Sequence, residues 1–520
     1  MLALIASAGA GVQAWAAGPA PTLRAAPSGV HGFPFRTSTL NLAGAGYVEQ
    51  EFLLSGTAQA YVPVAPLGSD GRWNVTANPG VTAPYVTRIL VRRPTDPARF
   101  NGTVVVEWNN ASGGSDTQSD WLYMHEEILR QGYAYIGVTA QYVGVQTLLA
   151  WEGGPGSRYA SLFHPGDSFA YDIFSQAGAV VLHGRPGDPR ALGELTGRVS
   201  AVLATGFSQS AAWLTTYFNA IHRLGPVYNA FLIHDAGFDA PLSLDVASFA
   251  TGDPPPGGVP ATPFIDTPYP LQLRDDQSQP ALIVLSEFGL SDDGNAAART
   301  FHLQPDSGHI RVWEFAGAPH LESGWFRDLV ADDRKTYPGT ALDPCDGPPG
   351  IPSIVHAPGV RAAVTALSLW ARGASAPRPA PRMSLQVPSP PDDFDQSVVF
   401  NRDAKTQLVR GGIRLPAVTV PVATLNGNRE DFDWSILGPG GQCVFVGVYD
   451  PWDHDSDLWD GQAGVDPSTT PEPDLQVLYP THQNYVERVS ASALQSVVNG
   501  YLRPADGVQL ALDAVHAAVP

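Results

Sequence analysis

The sequence predicts an α/β protein whose mainly parallel sheet is covered by helices on both faces. Continuous apolar runs, typical of strands buried on both faces, alternate with amphipathic segments of helical spacing. Two partly alternating segments, 46–61 and 85–94, come before them and indicate antiparallel strands at one edge of the sheet. Strands that alternate with helices in this way favour parallel pairing with helical crossovers.

The predicted elements follow one another from residue 102 to residue 373. The predicted buried strands are 102–108, 133–141, 199–206, 228–237, 280–287 and 310–317. The predicted helices are 115–132, 169–184, 210–225 and 357–373. Helix 115–132 has a Ser/Asp start and a terminal glycine, which are typical helix-end signals.

These elements predict one large core at 28–375, with insertions at about 142–168 and 238–278 near the pocket. The first insertion is rich in glycine and aromatic residues, and the second is rich in proline. A Pro-rich break at 374–382 separates a C-terminal part, 376–520, which is either a small subdomain or an extension packed on the core. We favour the extension.

The composition excludes some partners. The 520 residues are 44% hydrophobic and include 30 Lys and Arg against 50 Asp and Glu, a formal charge of −20. An acidic surface of this kind repels phosphate backbones and anionic lipid, so we expect no binding of nucleic acid or peripheral membrane. No segment is long and apolar enough to predict membrane insertion.

The N-terminus resembles a secretory signal. Residues 2–13 are apolar and small, and Ala14-Trp15-Ala16 matches the small-x-small cleavage pattern, so 1–16 is predicted to be a signal peptide. No Lys or Arg precedes the apolar run, which leaves open a start further upstream, a weak signal or a disordered tail. The prediction is a secreted or periplasmic protein, in which Cys345 and Cys443 form a disulfide or remain two thiols.

No metal or cofactor site is predicted. Two cysteines at this separation cannot form a C-x-x-C motif. The acidic run 450–464 has aspartates at the spacing of a calcium loop, but Leu458 and Gly464 stand where that loop needs glycine and glutamate.

The segment 198–213, RVSAVLATGFSQSAAW, resembles a nucleophile elbow. The G-x-S-x-G pattern places a serine on a tight turn between a strand and a helix, and the flanking positions must be small. Here the pattern is Gly206-Phe207-Ser208-Gln209-Ser210, with serine in place of the second glycine. An apolar run precedes it and an amphipathic segment follows, so Ser208 is predicted to be a nucleophile and not an ordinary turn serine.

A serine nucleophile needs a histidine to take its proton and an acid to orient that histidine. His320 follows the predicted strand 310–317 and is the expected base, because His302 and His309 precede that strand and His234 lies inside an apolar run. The expected acid is Glu287, at the end of strand 280–287. Other acids in range are Asp292 and Asp293 on the same loop, and Asp235 at the end of the preceding strand.

Two backbone N–H groups must stabilise the oxyanion. Gln209 supplies one by its position after Ser208. The other is expected in EWNNASGGSD, at Asn109 or Asn110, although a glycine-rich turn and helix cap would need the same residues.

The segments VVVEWNNASGGSD, GFSQSAAWL, LIVLSEFG and VWEFAGAPHLE, in this order, resemble the bacterial exported "alpha/beta hydrolase domain" family of large esterases. The resemblance covers about residues 30–510, including GQCVFVGVYDPW and LYPTHQNYVERV in the extension. It implies the α/β-hydrolase fold and a triad of Ser208, Glu287 and His320. The family commonly has SETD at the acid position, whereas Phe288-Gly289 follows the glutamate here.

The expected function is therefore hydrolysis of a small-molecule carboxylic ester by a Ser-His-Glu triad through an acyl-enzyme. A peptidase, a lactonase or an acyltransferase on the same fold is the first alternative. A non-catalytic binding protein is the second, and an intact set of three triad residues argues against it.

Overall fold

A computed structural model describes residues 20–112, 114–183, 190–236, 272–291, 301–339, 350–387, 398–427, 445–452 and 473–520. Its centre is a nine-stranded sheet. The strands are β1 Thr22–Ala25, β2 Tyr47–Pro63, β3 Val75–Pro94, β4 Thr103–Trp108, β5 Ala134–Val138, β6 Ala201–Phe207, β7 Ala230–His234, β8 Ala281–Ser286 and β9 Ile310–Phe315.

The strand order is β1-β2-β3-β5-β4-β6-β7-β8-β9. The pairs from β1 to β5 are antiparallel, and all pairs from β5 to β9 are parallel. The predicted α/β-hydrolase fold, with its antiparallel N-terminal edge and parallel centre, is thus confirmed. Strands β4, β6, β7 and β8 are buried at every residue, as expected for strands with helices on both faces.

Four helices of the core correspond to the predicted segments 115–132, 169–184, 210–225 and 357–373, although the α-helix in 210–225 ends earlier than predicted, at Thr216. The core also contains helices that the sequence did not predict. Helices of the core are α1 Ser119–Gln131, α2 Tyr142–Glu152, α3 Ala170–His183, α4 Gln209–Thr216, α5 Glu287–Ser291, α6 Ser323–Thr336 and α7 His356–Ala371. Helix α1 ends at Gly132, whose φ of 74° is the left-handed conformation that glycine adopts readily. A single π-helical turn, Tyr217–Ile221, follows α4.

The predicted insertion 142–168 is partly helical, because it begins with α2. Val145 and Leu148 of this helix pack with Phe35, Leu53 and Tyr159 in a small apolar cluster. Residues 238–271 of the second predicted insertion, 238–278, lie outside the described residues, as does the predicted signal peptide.

The C-terminal extension contains β10 Leu385–Gln386, β11 Val399–Phe400, β12 Ala423–Asn426 and β13 Val448–Pro451. Its helices are α8 Pro416–Thr419, α9 Leu475–Leu478, α10 His482–Asn499 and α11 Pro504–His516. Met383, Ile413 and Leu425 belong to the same apolar cluster as the central sheet. Backbone hydrogen bonds join Ile413 to Glu314 and Ala316, directly beside the end of β9.

Within the described residues, no helix combines the length and the hydropathy needed to cross a bilayer.

Candidate active site

The turn between β6 and α4 holds Ser208 in a strained conformation at the end of a buried strand. Its backbone has φ 56° and ψ −121°, a combination that costs energy and that is concentrated at functional sites. Gly206 is needed two residues earlier, because a Cβ there would lie 2.7 Å from the carbonyl oxygen of Ser210. Ser208 itself is partly exposed, whereas all of β6 is buried.

Ser210 explains the departure from the G-x-S-x-G pattern. Its hydroxyl lies 3.0 Å from both the backbone N and the carbonyl O of Phe207, accepting from the first and donating to the second. A glycine at this position could not make either bond. The serine therefore closes the turn around Ser208.

His320 and Asp235 form a hydrogen-bonded pair at the same edge of the sheet. His320 Nδ1 lies 2.6 Å from Asp235 Oδ2, and both side chains are buried. Asp235 directly follows β7, and the carbonyl of its neighbour His234 accepts a bond of 2.9 Å from the backbone N–H of Ser208. Because Nδ1 is bonded to the carboxylate, Nε2 is the nitrogen that can accept a proton.

Aromatic side chains surround the His320 ring. Phe207, adjacent to Ser208, stacks on it with ring centroids 4.5 Å apart. Phe288 and Phe445 approach to 5.3 Å each. Tyr123 donates its hydroxyl proton to the His320 carbonyl oxygen. This packing fixes the ring and keeps most of its surface from water.

Asp235 is held as a carboxylate. Burial alone would raise its pKa, but the hydrogen bond and the positive charge available on His320 hold the pKa well below its usual range. Ser286 also donates two bonds to this carboxylate, one of 2.8 Å from its backbone N and one of 2.7 Å from its hydroxyl. An ionised acid in this position favours the imidazolium form of its histidine partner.

Glu287, which the sequence indicated as the acid, does not contact His320 in this way. Its Oε1 accepts a bond of 2.8 Å from Arg402 of the C-terminal extension, and its Oε2 accepts one of 2.8 Å from the backbone N of Gly317. Its own backbone N–H donates to the carbonyl of Ala318. Glu287 therefore fastens the loop that leads to His320, and the structure gives the carboxylate contact with His320 Nδ1 to Asp235.

The carboxylate that bonds to His320 lies at the end of β7, whereas the acid predicted from the sequence, Glu287, directly follows β8. Asp235 has φ 51°, and aspartate tolerates this left-handed region better than most residues. The signal that was available is the position of Asp235 directly after the strand AFLIH, which is the next strand in the sequence after the one that leads into Ser208. Asp292 and Asp293, the other acids considered, lie outside the described residues.

The backbone N–H groups of Asn109 and Asn110 are already paired. They donate to the carbonyl oxygens of Val138 and Thr117, at 3.0 and 2.8 Å, so the structure does not support either as an oxyanion donor. The next N–H group, that of Ala111, donates to Gln209 Oε1 over 3.2 Å. Gln209 is the first residue of α4, where backbone N–H groups have no partner within the helix.

Asn110 instead connects its loop to the elbow. Its side-chain amide donates to the carbonyl of Phe207 over 2.9 Å, and its side-chain oxygen accepts the N–H of Ser112. Asn109 donates its side-chain amide to Asp116. Both asparagines therefore shape the loop that presents Ala111 next to Gln209.

A family model described as "alpha/beta hydrolase domain" matches residues 17–511. The chain belongs to this family. The match includes the C-terminal extension as well as the core, so both parts of this hydrolase are family features. No curated protein matches the sequence.

Solved structures of esterases and serine hydrolases resemble this hydrolase distantly. A serine hydrolase homologue from Coxiella burnetii is 11% identical, with 49% of this chain and 93% of that chain covered and a TM-score of 0.27. A thermostable esterase from Pseudomonas putida is 15% identical, with 58% and 84% covered and a TM-score of 0.29. The fold assignment of this hydrolase rests on its family and on its own sheet order.

Among the described residues, no group of three or more His, Cys, Asp or Glu side chains is arranged to hold a metal ion. The acidic run that begins at Asp453 and both cysteines lie outside the described residues.

Proposed function

We propose that this hydrolase cleaves carboxylic esters with Ser208 as nucleophile, His320 as general base and Asp235 as the orienting acid. The observation that carries the proposal is the 2.6 Å hydrogen bond between His320 and Asp235 next to a strained elbow serine. This is the arrangement of groups that a serine hydroxyl needs for activation. Asp235 takes the place of Glu287 in the expected triad.

In the proposed mechanism, His320 Nε2 accepts the Ser208 proton while Ser208 Oγ attacks the ester carbonyl. The imidazolium then gives the proton to the leaving alcohol, and an acyl-enzyme remains. His320 next takes a proton from water, which attacks the acyl carbonyl. The imidazolium returns this proton to Ser208 Oγ as the bond between Oγ and the acyl carbon breaks and the acid is released. Asp235 stays ionised throughout and stabilises each imidazolium, which agrees with its lowered pKa.

The oxyanion of each tetrahedral intermediate is bonded by the backbone N–H groups of Gln209 and Ala111. The present bond from the Ala111 N–H to Gln209 Oε1 is 3.2 Å, at the long end of the normal range. In the proposed mechanism the Ala111 N–H gives up this bond and donates to the charged oxyanion instead. Bonds to charged acceptors are about twice as strong as neutral ones. The exchange therefore favours the transition state over the free enzyme.

The proposed substrate is a small-molecule ester with an apolar group. Phe207, Phe288 and Phe445 make the surroundings of His320 apolar, and buried apolar contacts favour such a group. Export to the periplasm or medium is part of the proposal and is supported by the N-terminal sequence pattern. Cell fractionation with an antibody to the protein tests it, and a cytoplasmic location would contradict it.

The test of the reaction compares p-nitrophenyl acetate with a chromogenic peptide anilide, using the wild type and the variants Ser208→Ala and His320→Ala. Ester hydrolysis by the wild type alone supports the proposal. Release of the chromophore from the peptide anilide, and not from the ester, would indicate a peptidase. Equal rates in all three proteins would mean that Ser208 and His320 do not catalyse ester hydrolysis.

A further inference from the structure

A second chain of titratable side chains lies behind the candidate triad and has no part in the mechanism above. Asp120 of α1, His234 of β7 and His356 of α7 are all 0% exposed. Asp120 Oδ1 lies 2.6 Å from His234 Nδ1, and His234 Nε2 lies 2.9 Å from His356 Nε2. We refer to Asp120, His234 and His356 as the buried chain.

Both ends of the buried chain reach segments that carry triad residues. At one end the Thr205 hydroxyl donates to Asp120 Oδ2. At the other end His356 Nδ1 lies 2.8 Å from the carbonyl oxygen of Pro319. Thr205 precedes Ser208 by three residues on β6, His234 directly precedes Asp235, and Pro319 directly precedes His320. The buried chain therefore links, by hydrogen bonds, the three segments that carry Ser208, Asp235 and His320.

The number of protons in the buried chain follows from its acceptors. A carbonyl oxygen can only accept, so the proton of the bond to Pro319 is on His356 Nδ1. A neutral His356 then has a lone pair at Nε2, and His234 Nε2 must donate to it. The bond between His234 and Asp120 needs one more proton. Three protons thus fill three bonds, one more than an ionised aspartate and two neutral histidines hold.

This extra proton makes the buried chain electrically neutral. It lies either on Asp120 as a carboxylic acid or on His234 as an imidazolium facing a carboxylate, and the net charge is zero in both cases. With one proton fewer, two lone pairs would face each other across one of the three contacts, at 2.6, 2.8 or 2.9 Å, in a site without water access, and burying such unpaired polar groups is costly. Burial also lowers the pKa of His356 to about 3, with His234 acting in the same direction.

We propose that Asp120, His234 and His356 are positioning residues. Their neutral chain of shared protons fixes the relative positions of Ser208, Asp235 and His320. Because the buried chain is neutral, Asp235 is the charged group that bonds to His320. An imidazolium at His320 therefore faces no second cation from the buried chain. The inference rests on the proposed function. The titratable groups that bond to the buried chain or interact electrostatically with it or its ends are Glu107, Tyr123, Tyr135, Asp235, His320 and Glu322. Burial and the neighbouring Asp120 raise the pKa of Glu107 well above its usual range.

The proton count is tested without reference to activity. Full-length protein labelled with ¹⁵N-histidine gives the protonation and tautomer of each ring from its nitrogen shifts, with assignment by single histidine variants. The expected result is a neutral His356 with its proton on Nδ1, unchanged from pH 5 to pH 8. A proton on Nε2, or titration of His356 within that range, would overturn the proposal.

The positioning role is tested by kinetics with p-nitrophenyl acetate. In Asp120→Asn the amide can donate to His234 and its oxygen can accept from Thr205, so every bond and the net charge are kept. We expect kcat within about threefold of the wild type, whereas Asp120→Leu lowers kcat about 100-fold with little change in KM, as for a slight misplacement of catalytic groups. His222→Gln is the control, because His222 is equally buried but contacts Gln277 and Tyr228 instead.

Equal kcat values for Asp120→Leu and His222→Gln would refute the positioning role, and so would an Asp120→Asn variant as impaired as Asp120→Leu. If Asp120→Leu does not fold, the tautomer measurement on the wild type still tests the proton count, and the kinetics of Asp120→Asn still test the positioning role. A wild type that does not hydrolyse the ester would refute the proposed function, while the tautomer of His356 would still test the proton count separately.

Discussion

Ser208 and Asp235 share an uncommon backbone conformation, with φ of 56° and 51°. Each directly follows a buried parallel strand, β6 or β7. Conformations of this kind cost about 1–3 kcal/mol each and persist where the surrounding structure enforces them. In this hydrolase the two residues lie at the carboxyl ends of neighbouring parallel strands, and there the Asp235 carboxylate bonds to His320.

The two acids near His320 are expected to differ in their effect on rate. Asp235→Asn removes the carboxylate that selects the Nδ1–H tautomer, so we expect kcat to fall by about 10⁴-fold, as in serine proteases changed in this way. Glu287→Gln retains an oxygen that can accept from Gly317 and should lower kcat far less. The rates of p-nitrophenyl acetate hydrolysis by the two variants measure this difference. A larger loss in Glu287→Gln would return the acid role to Glu287.

The acid predicted from the sequence, Glu287, differs from the carboxylate that bonds to His320, Asp235, for a physical reason. The positions of the strand ends predict which carboxylates lie at the edge of the sheet. They do not predict which of these carboxylates contacts His320. That choice depends on the φ of Asp235 and on Arg402, which lies 115 residues from Glu287 in the chain and occupies its carboxylate. Long-range partners of this kind leave no local signal in the sequence.

At the level of elements, the loop after β4 and the N-terminus of α4 form the proposed oxyanion site together. The sequence predicted this pair of elements and the Gln209 donor. It placed the second donor at Asn109 or Asn110, because backbone pairing within the loop, such as that of Asn110 with Thr117, cannot be inferred from residue types. Because the N–H groups of Asn109 and Asn110 are paired within the protein, the proposed second donor is the N–H of Ala111.

The variant Ala111→Pro tests this donor, because proline has no backbone N–H. Removal of one oxyanion donor typically lowers kcat by about 10²–10³-fold, and we expect a loss of this size with KM nearly unchanged. Ala111→Gly, which keeps the N–H, is the matched control and should retain most activity. Circular dichroism checks that both variants fold. An active, folded Ala111→Pro would exclude Ala111 as a donor.

The C-terminal extension contributes to the site as an element. Phe445 packs on the His320 ring and its carbonyl accepts the N–H of Leu321, while Arg402 bonds Glu287. The sequence predicted that 376–520 packs on the core but not that it reaches the histidine loop. Its short strands carry too little periodicity for their place in the fold to be predicted.

For the whole molecule, buried histidines predict loss of stability in acid. Burial lowers the pKa of His164 and His222 to about 4 and that of His356 to about 3, against about 6.5 in an unfolded chain. Between these values the unfolded chain binds protons that the folded protein does not. The contribution of these three histidines to the free energy of unfolding therefore falls as the pH drops below about 6.5. The raised pKa values of Glu322, about 7, and Asp332, about 6, act in the opposite direction.

Urea unfolding at several pH values from 7 to 4.5 measures this slope. Each such histidine contributes up to about 1.4 kcal/mol per pH unit. His222→Gln should reduce the slope of the unfolding free energy against pH by up to this amount. Any change that the substitution causes in the stability above pH 7 is separate from this slope. An unchanged slope in His222→Gln would show that His222 is not held neutral in the folded protein.

The central claim is that Ser208 is activated by His320 and Asp235, and covalent labelling tests it most directly. The wild type and the variants Ser208→Ala and Asp235→Asn are treated with a fluorophosphonate, digested with trypsin and sequenced by mass spectrometry. We predict one adduct on Ser208, within the tryptic peptide 199–223, none at this position in Ser208→Ala, and much slower labelling of Asp235→Asn. An unlabelled wild type, or an adduct on another residue that persists in Ser208→Ala, would contradict the account.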